Sequence, residues 1–320
     1  MISVPHIDEK TRREFAERGV VRIAGLIPEA AIAPNRERVY SILEDAGVWQ
    51  DGRWVVDDER GENRTPGKFH WLAPTKYLPM RRIRDCAKST AFRAMFLSDA
   101  LAAAKELAGE RLCTSKPPAS GAADAFSRPQ LLFTPPGADH WFVPNTIWHL
   151  DVPRLGEAGA PGVQVFILLD DIPPGGGATL VVAGSHRLLN DRVRRSKDVK
   201  KALKRRPYFQ HLMGPRPQDR NPSDGSHIDP DSARLLNQPG HDGDIPLQVV
   251  EMDGKAGDAY ITDLRLLHTL APNASPRPRL MATQRLPYPD IVGKLDDAHA
   301  ELGRKRKRNG AAPSSPASAP

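Results

Sequence analysis

The chain has 320 residues, enough for one large domain or two small ones with a sizeable core. No apolar run approaches the ~18 residues that span a bilayer, and the start, "MISVPHIDEKTRREF", lacks the basic-then-apolar order of a secretory signal; a membrane protein and Sec export are disfavoured and a cytoplasmic location is expected. The net charge of +7 belongs to the tail: without "RKRKR" (Arg304 to Arg308) 41 basic residues face 39 acidic ones, so a nucleic-acid partner is disfavoured for the folded part.

In chain order, residues 1–128 read as a helix-rich lead-in with one early strand. "TRREFAERG" carries Thr11 where a helix N-cap would sit and Gly19 where the helix would stop, and "VVRIAGL" then alternates as a strand. "RERVYSILEDAG" (36–47) and "AFRAMFLSDALAAAKELAGE" (91–110) space their apolar residues as helices do, the second starting after Ser89-Thr90 and ending near Gly109. Cys86 and Cys113 have no paired spacing and are expected to be core or surface thiols in a reducing compartment. "SKPPASGAADAFSRP" (115–129) is a Pro/Gly/Ser-rich connector.

From 129 to 290 short β-like runs alternate with glycine and proline. Strands are expected at 130–134, 146–150, 163–169, 178–183, 247–252, 258–263 and 280–286, which with the early strand makes eight, the size of a double-sheet jelly roll. An insertion at about 185–246 interrupts them and is expected to be partly helical and to lie over one mouth of the barrel. It contains "RVRRSKDVKKALKRR" (192–206), which reads either as an exposed helix face or as an anion site for a substrate phosphate or carboxylate. Residues 291–320 form a basic tail whose "NGAAPSSPASAP" has too few apolar residues to pack and is expected to be disordered.

His-x-Asp occurs three times, at His6/Asp8, His149/Asp151 and His227/Asp229. With ten histidines in the chain the pattern alone decides nothing. The first copy lies near the terminus and the third amid Pro, Ser, Asp and Gly. Only the second ends an expected strand, where residues i and i+2 share a face and His149 and Asp151 can enter one cavity. His268 supplies a third ligand from a distant strand. Two imidazoles and one carboxylate on one face of a metal, with the other positions open, is the set used by non-heme Fe(II) oxygenases. Arg279, eleven residues on at the start of the next strand, can return beside the metal and pair its planar fork with a carboxylate, as a dicarboxylate such as 2-oxoglutarate would require.

"WHLD", "DDIPPGGGATLVVAGSHR" and "HTLAPNASPRPR" together resemble the phytanoyl-CoA dioxygenase family of Fe(II)/2-oxoglutarate-dependent oxygenases, over about residues 10–290 and most strongly over 130–286. The resemblance implies a double-stranded β-helix, iron on His149, Asp151 and His268, the far carboxylate of 2-oxoglutarate on Arg279, and O₂ as oxidant of a C–H bond in a small organic substrate. Halogenases similar to these enzymes carry a small residue in place of the aspartate, so Asp151 disfavours halogenation. Two rivals stand beside this reading: a cupin-like metal protein that does not use 2-oxoglutarate, and a nucleic-acid-associated protein acting through its basic segments.

Other polar residues are assigned by position. Gln130 heads a strand that could line the cavity, as a co-substrate contact or a structural residue. Arg277 is expected to face away from Arg279 towards the surface, and Trp148 to pack in the core. Thr179 reads equally as cavity residue and ordinary strand threonine. His186, in "GSH", is expected to serve the turn or the surroundings of the site and not as a fourth ligand.

Overall fold

The computed structural model describes residues 7–55, 78–97, 99–109, 112, 127–138, 140–152, 154–155, 161–189, 194–215 and 230–289. The first helix, α1 (Glu9–Arg18), starts before Thr11: Asp8 is the N-cap and accepts from the Thr11 backbone N–H at 2.7 Å. Gly19 ends it as expected, with φ of 70°. Strand β1 (Val20–Ile23) follows directly. Helix α2 (Glu29–Asp45) opens ahead of Pro34 because its early residues Ile32 and Asn35 are already buried. A small hairpin, β2 (Trp49–Gln50) with β3 (Arg53–Trp54), was not expected from the sequence.

Next come α3 (Met80–Asp85), a 3-10 turn at Cys86–Lys88, α4 (Thr90–Ala94) and α5 (Asp99–Ala108). The single helix expected over 91–110 is therefore two, with Ser89 capping the first through the Phe92 N–H at 3.1 Å. Met95 and Phe96, between the two helices, are both buried.

The remaining strands are β4 (Gln130–Thr134), β5 (Arg154–Leu155), β6 (Gly162–Leu168), β7 (Thr179–Ala183), β8 (Arg194–Arg195), β9 (Gly240–Asp242), β10 (Ile245–Glu251), β11 (Ala259–Asp263), β12 (His268–Leu270) and β13 (Arg279–Pro287). Two antiparallel sheets carry the fold, ordered β1-β11-β6-β13-β4 and β12-β7-β10-β9. The fold is the mainly β jelly roll with helices that the strand count predicts.

Alternation explains why β6 is buried along its whole length. Val163, Val165 and Ile167 pack outward against α2, α4 and α5, while Phe166 and Leu168 point inward to meet Val181 and Met281. Outside the second sheet, Leu180, Val182, Leu247 and Val249 are covered by α6 (Ser196–Leu203), α7 (Pro207–Met213) and α8 (Pro230–Asn237). The segment expected to be partly helical and to lie over one mouth of the barrel supplies three helices among the described residues, and they cover the outer face of the second sheet instead, because their apolar sides pack on Leu180, Val182, Leu247 and Val249.

One strand expectation fails. Residues 146–150 form no strand; a single bridge joins His149 to His268, and Ile147 sits at φ of 58°. A β-branched residue in that region breaks the extended run. His6, the His227/Asp229 pair, Cys113, most of the 115–129 connector and the whole 291–320 tail lie outside the described residues.

Candidate metal centre

His268 opens β12, opposite Val181 of β7, and so faces the space between the sheets. His149 is tied to it by a reciprocal backbone pair, His149 N–H to His268 O at 2.9 Å and His268 N–H to His149 O at 3.1 Å. Trp148 fixes the segment from behind. It is fully buried in the outer cluster, as its place opposite the ligands predicts, and its indole N–H donates to Pro144 O at 2.6 Å.

The three groups converge. His149 Nε2 lies 3.7 Å from Asp151 Oδ1 and His268 Nε2 lies 3.6 Å from Asp151 Oδ2, with the two imidazole centroids 4.2 Å apart. One ligand atom from each lies within 4.8 Å of the others. Cis ligands at about 2.1 Å from a metal stand about 3 Å apart, so a small contraction would close the set around an ion. The hydrogen bonding fits the same use. Each Nδ1 meets a backbone carbonyl, Ile147 O at 2.8 Å for His149 and Leu266 O at 3.1 Å for His268. A carbonyl only accepts, so each Nδ1 carries the proton and each Nε2 presents its lone pair to the centre.

Electrostatics hold His149 and Asp151 in their ligating forms. Desolvation, then the neighbouring His268, hold His149 towards its neutral form, with a smaller effect from Lys200 on α6. Burial alone would raise the Asp151 carboxyl, but the adjacent His268 and then Arg285 outweigh it and hold the group well below the usual carboxylate range. A neutral imidazole at His149 and an ionised carboxylate at Asp151 suit a divalent cation.

Beside the triad lies a cavity of about 620 Å³, lined among others by Gln130, Gln164, Phe166, Thr179 and Arg279. The turn that delivers Arg279 is built by Asn273, whose side-chain amide donates to Thr134 O at 3.2 Å and Arg277 O at 2.8 Å while its oxygen accepts from Ser275 Oγ at 2.7 Å. Gly177, at φ of 76°, packs on this turn so closely that a Cβ would stand 2.6 Å from Asn273 Cβ. That contact joins the "GGG" and "PNAS" segments.

Arg279 is 4% exposed, and its partners are modest: Nη1 donates to Thr179 Oγ1 at 3.3 Å and meets Met281 Sδ at 3.6 Å. Its Nε has no partner, and among the described residues no carboxylate pairs with it. Burial pulls its pKa down to about 9, which still leaves the group charged at neutral pH. Arg279 is thus a buried cation at a cavity wall with no counter-charge among the described residues.

The other anticipated residues separate clearly. Gln130 lines the cavity, paired in register with Thr283. Thr179 does both things the sequence allowed, as a strand residue that also braces Arg279. Arg277 points away from Arg279 as expected but is more than surface: it donates to Asp170 Oδ2 at 2.9 Å and lies over the Tyr40 and Trp49 rings at 5.8 and 5.5 Å. His186 stands apart from the centre, its Nε2 bonded to Ala16 O at 3.2 Å and its ring pressed on Gly19. In the 192–206 run, α6 buries Val199 and Leu203 while Lys201, Lys204 and Arg205 are exposed, and Arg206 pairs with Asp242 at 2.9 Å.

Sequence reasoning missed Arg285, whose Nε donates to Asp151 Oδ2 at 2.7 Å. The available signal was parity. Arg285 is six residues beyond Arg279 on β13, so both project from the same face of one strand.

A profile of the phytanoyl-CoA dioxygenase (PhyH) family matches residues 15–281. Solved structures resemble the chain more distantly: the non-heme alpha ketoglutarate dependent carbocyclase SnoK from nogalamycin biosynthesis, at 17% identity over 89% of this chain and 85% of that one with a TM-score of 0.44; EctD from S. alaskensis in its apoform, at 16% over 88% and 77% with a TM-score of 0.45; and AviO1 from Streptomyces viridochromogenes, at 18% over 89% and 96% with a TM-score of 0.41. No curated protein matches the chain. The profile match covers most of the sequence and includes all three residues of the triad and Arg279, and the chain belongs to the phytanoyl-CoA dioxygenase family of Fe(II)/2-oxoglutarate-dependent oxygenases.

Proposed function

We propose that His149, Asp151 and His268 hold Fe(II), that Arg279 holds the far carboxylate of 2-oxoglutarate, and that the enzyme oxidises a C–H bond of a small organic metabolite. The observation that carries this reading is the buried Arg279, without a counter-charge among the described residues, beside the converged triad. An unpaired buried charge is costly, and a dianion reaching from the metal into the cavity removes that cost. Bound iron and 2-oxoglutarate supply the activation of O₂, with succinate and CO₂ released.

The chain's own contribution is placement. Thr179 steadies the Arg279 guanidinium, and Phe166 contributes an apolar wall that limits water beside the centre. Gln130 is close enough to the same cavity to serve as a further co-substrate contact. A cytoplasmic location is part of the reading, supported by the buried free thiol of Cys86 and by the lack, among the described residues, of any helix long and apolar enough to cross a membrane.

The test is iron-dependent conversion of 2-oxoglutarate to succinate, with Arg279→Lys compared against wild type. The variant is expected to raise the KM for 2-oxoglutarate by at least about tenfold, because an ammonium cannot reproduce the planar fork. Unchanged KM would remove Arg279 from the carboxylate site. Metal binding with no consumption of 2-oxoglutarate across substrate classes would favour a cupin-like protein that does not use it.

A further inference from the structure

Asp151 is the least constrained of the three candidate ligands by backbone alone. His268 is part of β12, and His149 is bonded to it through both backbone groups, but the bridge stops there and no strand includes Asp151. A carboxylate outside any strand has a χ1 that the ladder does not fix and two equivalent oxygens, so a side-chain partner can choose its orientation.

Arg285 supplies that choice. It sits within the long strand β13, paired with Gln164 of β6. The strand is locked at this level: Gln164 donates to Thr283 Oγ1 at 3.0 Å, and Thr283 donates to Val165 O at 2.9 Å. From this rigid base Arg285 Nε reaches Asp151 Oδ2 at 2.7 Å, with both side chains about 15% exposed or less. Beyond the two histidines of the centre, Arg285 is the group that hydrogen-bonds this carboxylate. Oδ1 lies on the His149 side, 3.7 Å from its Nε2, while Oδ2 lies 3.6 Å from His268 Nε2.

We propose that Arg285 is a positioning residue of the metal centre: its Nε–H claims Oδ2 of Asp151, fixes the carboxylate rotamer, and presents Oδ1 as a single-oxygen ligand. The inference rests on the iron reading and adds a device to it. The strand that brings Arg279 to the co-substrate also sets the geometry of the metal, because positions 279 and 285 share one face. Partners of this kind orient ligands and are worth about 10–100-fold in metal affinity.

Two substitutions separate the hydrogen bond from mere bulk. Glutamine places its Nε2 the same number of bonds from Cα as the arginine Nε, whereas methionine places a methyl group there. Fe(II) affinity under anaerobic conditions and the visible spectrum of bound Co(II) are measured for wild type, Arg285→Met and Arg285→Gln, with the Tm of each metal-free protein. Arg285→Met is expected to weaken metal binding about 10–100-fold and to alter the Co(II) spectrum. Arg285→Gln is expected to recover most of the affinity and the wild-type spectrum.

Wild-type behaviour in both variants would overturn the proposal, and so would equal losses in both. If the methionine chain does not fold, Arg285→Lys replaces it, since lysine keeps the charge but lacks a donor at the Nε position; lysine matching or exceeding glutamine would overturn the proposal. Failure of wild type itself to bind iron through His149, Asp151 and His268 would overturn the iron reading, and this inference with it.

Discussion

Ile147 holds a backbone conformation that a β-branched residue rarely adopts, and its carbonyl is the group that receives His149 Nδ1–H. Strain of order 1–3 kcal/mol at such a residue persists only where its surroundings enforce it, here the buried Trp148 on one side and the bridge to His268 on the other. Its product is an imidazole whose Nε2 faces the aspartate. His149→Ala or Asp151→Ala is therefore expected to abolish iron-dependent turnover and to lower iron affinity at least about 100-fold, read by anaerobic titration. His6→Ala and His227→Ala are expected to leave both unchanged. Loss of iron in His227→Ala would show that a different His-x-Asp pair is the ligand.

Elements act on the centre through their neighbours. β13 carries Arg279, Thr283 and Arg285 on one face, and the corner between α1 and β1 is held by His186 from the turn after β7. That corner offers a pH prediction. Desolvation lowers the His186 pKa, so the native state keeps the ring neutral where the unfolded chain, with an ordinary value of about 6.5, is protonated. The unfolded state then binds more protons, and stability must fall as pH drops below about 6.5. The loss of Tm between pH 7.5 and 5.5 is expected to be smaller in His186→Gln than in wild type; an equal loss would mean that His186 stays neutral in both states or charges in both.

At the scale of the molecule, helices cover the outer faces of both sheets and leave the space between the sheets for the cavity. All residues proposed to touch iron or co-substrate lie between 130 and 285, and the charge that sets the high pI lies in 304–308. Removing residues 304–320 is expected to leave kcat and the KM for 2-oxoglutarate within about twofold of wild type. A larger effect, together with steep salt dependence, would bring the basic tail and the exposed Lys201, Lys204 and Arg205 into the mechanism.

By itself the sequence determined the local patterns: the short β-like runs of β4, β6, β7, β10, β11 and β13 between glycine and proline, and the glycine stop at Gly19; it also singled out one His-x-Asp pair among three. These depend on side-chain period and backbone chemistry within a few residues, and such information is local. The structure kept the juxtaposition of His149 and Asp151 but not the reason first assigned to it, since a bridge to His268 replaces the expected strand. It also supplied the partners that cross long stretches of chain: Arg285 on Asp151, Asn273 beneath Gly177, and the absence of any counter-charge for Arg279 among the described residues. Sequence lists which groups exist; only packing decides which are buried together, and a buried charge without a partner is a property of three-dimensional neighbours.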